Sequence, residues 1–137
     1  MQIPHILIAE TEPVAIKQIQ ENLTILGYDI SSIIGSAEDV IRKAEEKKPD
    51  LVLMDVSING KINFMDLSHK ISNEMEIPII YTTTCINENI YHISNSNKSS
   101  QDIEYIIKPC DIFELYASIE MFLLKNCIKN ELKFNKE

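Results

Sequence analysis

Apolar runs of strand length alternate with amphipathic stretches of helix length along this chain, and that alternation limits the folds open to it. Ile3–Ala9 is apolar except for Pro4 and His5, as a strand buried on both faces should be. From Pro13, the residues Ile16, Ile19, Leu23 and Leu26 recur at three- and four-residue intervals, and Gly27 follows as a helix stop. Ile30–Ile34 reads as a second strand. Ser36 is placed to cap a helix with Val40, Ile41 and Ala44 inward. Leu51–Met54 is a third strand ending at Asp55, and after Gly60 a helix is suggested by Met65, Leu67, Ile71 and Met75. Pro78–Tyr81 begins a fourth strand. A short helix is expected near Glu88–Ile93, then a polar loop, and Ile103–Ile107 is the fifth strand. A long fifth helix starts near Asp111, with Ile112, Leu115, Tyr116, Ile119, Leu123 and Leu124 expected inward. Strands separated by helices imply right-handed parallel βαβ units. The expected fold class is therefore α/β, a doubly wound five-stranded parallel sheet.

Composition narrows the function classes. With 137 residues there is room for one domain. Thirteen basic residues against 21 acidic ones leave a net charge of −8, which disfavours a nucleic-acid surface. No apolar run nears the ~20 residues needed to span a bilayer, and the N-terminus does not read as a signal peptide. Cys85, Cys110 and Cys127 are odd in number and lack CxxC spacing, so free thiols in a cytoplasmic protein are expected. The three glycines, Gly27, Gly35 and Gly60, form no phosphate-cradling loop of the dinucleotide or P-loop kind.

In a doubly wound sheet the site lies beyond the carboxyl ends of the strands. Strand one ends in Glu10-Thr11-Glu12, strand three in Asp55, strand four in Thr83-Thr84 and strand five in Lys108-Pro109. Two carboxylates, a hydroxyl and an ammonium at one sheet edge suit a divalent cation together with a phosphoryl group. Oxygen ligands favour Mg²⁺, which accepts few protein ligands and keeps several waters. A carboxylate beside the cation is a candidate nucleophile toward phosphorus, and the hydroxyl and ammonium would hold the phosphoryl oxygens. Each residue alone has an ordinary loop or capping explanation; their order along the chain is what is specific.

On these stretches the chain resembles the receiver domain of two-component response regulators, the CheY-like fold with strand order 2-1-3-4-5. The resemblance is carried by Ile6–Pro13, Pro49–Val56, Pro78–Thr83 and Tyr105–Pro109, and it covers about Pro4 to Lys125. It is similar in particular to receivers of methanogenic archaea, which share the Glu-Asn-Leu…Leu-Gly-Tyr stretch seen at Glu21–Leu23 and Leu26–Tyr28. We read residues 1–126 as the receiver domain and 127–137 as a C-terminal helix extension or tail. The resemblance implies that Asp55 is the phosphoacceptor, Thr83 the phosphate-sensing hydroxyl and Lys108 the partner cation, followed by a cis Lys108-Pro109 bond. It implies Tyr105 as the switch aromatic, with Glu10, Asp55 and the backbone carbonyl of Ser57 as Mg²⁺ ligands. A histidine kinase would supply the phosphoryl group. The output would pass to a downstream protein partner or a fused effector, with no enzymatic activity beyond slow autodephosphorylation.

The sequence also departs from the family. Thr11 stands where the second acid of the metal pair is usual, so Mg²⁺ binding is expected to be weakened, and Glu12 is the nearest substitute ligand. Thr84 replaces the small residue that usually follows the sensing threonine. These changes leave open an alternative, a degenerate pseudo-receiver serving as a phosphorylation-independent binding or dimerisation module. Cys85 is expected to tune water access to the acceptor. His5, His69 and His92 lack ligand spacing. The apolar residues Cys127, Ile128, Leu132 and Phe134 suggest an overhanging helix end, either a frayed tail or a surface for a homodimer through the fifth-helix face.

Overall fold

A computed structural model describes residues 2–84 and 104–135; the expected helix near Glu88–Ile93, Cys85, His92 and the side chain of Phe134 lie outside the described side chains. The elements are β1 (His5–Ala9), α1 (Pro13–Leu26), β2 (Asp29–Ile34), α2 (Ala37–Lys47), β3 (Leu51–Asp55), α3 (Phe64–His69), β4 (Ile79–Thr83), β5 (Glu104–Ile107) and the C-terminal helix α4 (Ile112–Asn135). The strands form one parallel sheet in the order β2-β1-β3-β4-β5, as the sequence predicts. Leu51–Asp55 and Ile79–Thr83 are buried at every position. This explains why the central strands read as unbroken apolar runs and not as alternating ones.

Successive strand residues point to opposite faces, and so divide the core in two. Leu7, Ala9, Val52, Met54 and Tyr81 pack with Val40, Ala44, Leu67 and Ile71 beneath α2 and α3. Ile6, Ile8, Leu51, Leu53, Ile80 and Ile106 pack on the other face with Ile19, Leu23, Leu115 and Ile119, beneath α1 and α4. Gly27 ends α1 at φ 88°, a left-handed conformation that suits glycine, and its N–H and that of Tyr28 return to carbonyls of the last turn. The Tyr28 hydroxyl donates to the carboxylate of Glu120, tying the start of the β2 arm to α4.

Two details differ from expectation. The third helix starts at Asn63, whose side chain caps it, and then widens into a π-helical turn over Lys70–Glu74. In α4, Leu115 and Ile119 are fully buried but Tyr116 is 47% and Leu124 61% exposed. At 100° per residue, Leu124 falls about 100° or more from Ile112, Leu115, Ile119 and Leu123, which face the sheet, whereas Tyr116 lies only about 20° past Leu123, at the margin of that face. Apolar character on this helix thus does not mark a single face.

Candidate functional site

The order of the sheet sets β1 beside β3, which brings Glu10 and Asp55 together at one edge. Lys108 arrives from the far side: its backbone N–H donates to the Thr83 carbonyl at 2.7 Å, just past the paired residues Thr83 and Ile107. From there its side chain crosses to the two acids. The Lys108 Nζ lies 2.9 Å from Glu10 Oε1 and 3.4 Å from Asp55 Oδ1. The Lys108-Pro109 peptide is cis. All of these groups are withdrawn from water, with Glu10, Asp55 and Thr83 buried.

Each carboxylate oxygen has a partner. Glu10 Oε2 accepts from the N–H groups of Thr11 and Glu12 at 3.2 Å, so its Oε1 is turned toward Lys108. Asp55 Oδ2 accepts from the Ser57 hydroxyl at 2.6 Å. This hydroxyl is a site contact that the sequence reading missed, because Ser57 was weighed only for its carbonyl; a serine two residues past a strand-end acid is the signal that was available. Burial by itself would push the Lys108 ammonium down. The hydrogen bond to Glu10 and the charges of Asp55 and Glu10 outweigh that and hold it above the ordinary lysine range. Two acids and one base leave a single net negative charge in a confined space, a setting that attracts a cation.

The donor set available to Mg²⁺ is the carboxylates of Glu10 and Asp55, with the Ser57 carbonyl next in the chain. Among the described residues no cluster of three His, Cys, Asp or Glu side chains is arranged to hold a metal. All-oxygen donors with room for water fit Mg²⁺, with one acid fewer than three. Glu12 is not placed to make up the difference. Its Oε1 accepts from the Val14 N–H at 3.3 Å and its Oε2 from the Ala15 N–H at 3.0 Å, so the side chain caps α1. Thr11 is exposed, its methyl 3.6 Å from where a Cβ on Gly35 would stand. Thr84 is exposed beside the buried Thr83.

Tyr105 is half-buried on β5, paired with Tyr81, and packs against the core beneath α2 and α3. Cys110 follows the cis peptide and is buried near Leu115 and Ile119; burial pushes its thiol up to about 11, which makes it a poor nucleophile. A further contact supports the loop after Asp55. The Glu38 carboxylate at the start of α2 accepts from the Lys61 N–H, and this backbone hydrogen bond holds its carboxyl below the usual range. Gly60 lies directly against that carboxylate, where a Cβ would collide with it.

The chain matches the family described as response regulator receiver domain over residues 6–120. It is 28% identical over 116 residues to the transcriptional regulatory protein PdtaR of Mycobacterium tuberculosis, covering 85% of this chain and 55% of that protein. To the probable transcriptional regulator ycf27 of Cyanidium caldarium it is 29% identical over 126 residues, covering 92% of this chain and 49% of that one. The chain thus spans about half the length of the curated relatives it matches. The signal receiver domain of a modulated diguanylate cyclase from Desulfovibrio desulfuricans G20 shares the fold at a TM-score of 0.83 and 24% identity, covering 93% of this chain and 99% of that one. A CheY-like receiver domain protein from Methanospirillum hungatei JF-1 does so at a TM-score of 0.77 and 19% identity, with the same coverage.

Proposed function

Because the chain belongs to the response regulator receiver domain family, we propose that it is a working phosphoacceptor, taking a phosphoryl group on Asp55 from a histidine kinase and passing the change to a protein partner. Receivers of this family are signalling domains that generally bind Mg²⁺ at an acidic phosphorylation site, and response regulators act with histidine kinases and with effector or partner proteins. One observation supports the finer reading most directly: the Lys108 ammonium sits between Glu10 and Asp55, 2.9 and 3.4 Å away, at the carboxyl edge of the sheet. A domain kept only for its fold has no need for a buried ammonium shared by two acids at that edge.

In the proposed reaction a carboxylate oxygen of Asp55 attacks the phosphorus of a phosphohistidine or a small acyl phosphate. The new bond joins Asp55 oxygen to phosphorus as the bond to the donor breaks, and the electron pair leaves with the donor. Lys108, already 3.4 Å from Asp55, is placed to hold the incoming negative charge. The Thr83 hydroxyl is the group assigned to bind a phosphoryl oxygen and, by moving, to change the room available to Tyr105. Glu10, Asp55 and the Ser57 carbonyl are the residues assigned to Mg²⁺, which when bound supplies positive charge toward the phosphoryl oxygens. The hydroxyl of Ser57 must yield its hold on Asp55 when that oxygen becomes occupied.

The output is assigned to a downstream protein partner, a fused effector or a second copy met through the C-terminal helix. Among the described residues no helix is long and apolar enough to cross a membrane. Intact-mass spectrometry after incubation with acetyl phosphate, with and without Mg²⁺, tests the reading. One phosphoryl adduct that requires Mg²⁺ and is lost in Asp55→Asn is expected. The absence of an adduct, with no response to beryllofluoride and Mg²⁺, would overturn it in favour of a degenerate receiver.

A further inference from the structure

The C-terminal helix has apolar residues on two opposite sides, and only one of them faces its own domain. Leu115 and Ile119 are buried against the sheet, with Phe122 and Leu123 packed beside them. Diametrically across the helix stand Ala117, Met121, Leu124, Ile128 and Leu132, spaced by four, three, four and four residues. All five are exposed, and the four large ones are each about half exposed or more. Beyond Leu123, the side of α4 turned back toward the domain carries Asn126, Cys127, Asn130 and Glu131, three of the four strongly polar, across an open groove from Pro49, Asp50 and Pro78. The polarity there is the reverse of what folding back would need: the inner side is polar and the outer side apolar. The outer stripe is therefore built for a surface that its own domain does not supply.

We propose that this stripe pairs with the same stripe of a second copy, as a short parallel two-stranded coiled coil. The inference deepens the second-copy output named above, and it does not depend on whether Asp55 accepts a phosphoryl group. Over Ala117, Met121, Leu124 and Ile128 the spacings of four, three and four are those of a coiled-coil seam, with Ala117 and Leu124 at one core position and Met121 and Ile128 at the other; the next core position is Glu131, so the seam ends there and Leu132 borders it. Charge selects the orientation. Glu120 and Lys125 border the seam on opposite sides, five residues apart, which is the separation at which flanking residues of parallel helices meet across a dimer. Two Glu120–Lys125 contacts of opposite sign then form per pair, whereas an antiparallel pairing would bring like residues together. A carboxylate has several acceptor positions, so Glu120 keeps capacity beside its bond from Tyr28. With the stripe opposite the buried face, each domain lies outside the seam and the two do not collide. The seam is short, so a dissociation constant in the micromolar range is expected.

Sedimentation velocity on the full chain, from micromolar to sub-millimolar concentration, tests this. The wild-type chain should shift from monomer to dimer. Leu124→Asp with Ile128→Asp, both at exposed positions, should raise the dissociation constant at least about tenfold while circular dichroism stays unchanged. Lys125→Glu, which sets like charges across the seam, should weaken the dimer; because Lys125 also lies over the Phe122 ring, 5.7 Å from its centroid, the unfolding midpoint is read alongside, and Lys125→Arg should leave both unchanged. Met121→Cys and Ile128→Cys, each alone in a Cys127→Ser background, should each cross-link to itself under mild oxidation, since two core positions a heptad apart both meet their own copies only in a parallel pair. A chain that stays monomeric throughout would overturn the proposal. So would a dimer indifferent to the double substitution, or cross-linking of Met121→Cys to Leu124→Cys with no self-linking of Ile128→Cys. Asp55→Asn carried through the same series should dimerise like wild type, which separates failure of the pairing from failure of the phosphoacceptor reading.

Discussion

At the scale of single residues, Lys108 is the group whose removal is felt most. Lys108→Met leaves Glu10 and Asp55 buried near each other without their shared cation, and should cost about 3 kcal/mol in urea unfolding at neutral pH. Added Mg²⁺ should restore part of that loss, because it supplies positive charge to the same oxygens. Thr11→Asp acts in the opposite direction: a third carboxylate at this edge should tighten Mg²⁺ binding about tenfold or more by calorimetry. An unchanged affinity would mean that water or Glu10 already fills that ligand place. The alkaline limb of stability has a worked sign. Burial holds the Cys110 thiol at about 11 in the folded protein, against an ordinary 9.0. Between those values the folded chain keeps a proton that the unfolded chain has released, so stability falls as pH rises. The loss across that window should be roughly 2–3 kcal/mol, and Cys110→Ala should flatten the slope there. Lys108 and Tyr28, both raised, add losses of the same sign that begin at their ordinary values of 10.5 and 10.0, inside the upper part of the same window, and continue above it.

At the scale of elements, α1 hangs from one side chain. Glu12→Ala removes the carboxylate that accepts from Val14 and Ala15, and should destabilise the fold by about 1 kcal/mol. Mg²⁺ affinity should stay unchanged and Glu12→Asp should rescue the stability; a fall in affinity with Glu12→Ala would return that residue to the ligand set. The Glu38 clamp on the loop after β3 has its own signature. Gly60→Ala should displace the Glu38 carboxylate and speed hydrogen exchange at the Lys61 amide, leaving the global midpoint nearly unmoved. These elements also mark where sequence reading succeeds and fails. The central strands were legible because burial on both faces leaves an unbroken apolar run, and strand-end acids follow such runs by position alone. Leu124 was misplaced because α4 bears two apolar faces, so counting hydrophobes at helical spacing cannot say which one meets the sheet; Tyr116 sits at the margin of the buried face, where spacing alone does not set exposure. The π-turn at Lys70–Glu74 leaves no compositional trace. The Ser57 hydroxyl on Asp55 does leave one, a serine two residues past the acid, but a backbone role and a side-chain role begin from the same letter.

At the scale of the whole molecule, the acidic edge and the outward stripe belong to one continuous path. Lys108 is separated from the first residue of α4 only by Pro109, Cys110 and Asp111, and the helix then runs past the opposite edge of the sheet. A change in how Lys108 is held therefore acts at the root of the helix that bears Met121 and Ile128. We expect beryllofluoride with Mg²⁺ to shift the dimer dissociation constant. With one site per protomer, linkage then requires the per-site beryllofluoride affinity of monomer and dimer to differ by the square root of that shift, which titrations on dilute and concentrated protein can check. Glu10 and Lys108 lie 98 positions apart in the chain, yet their contact is what makes the pocket. During synthesis, β1 and β3 leave the ribosome well before the lysine that completes their edge has been translated. Asp55 on a nascent or truncated chain is thus an ordinary strand-end acid, and the phosphoryl transfer proposed for it would wait for the finished domain.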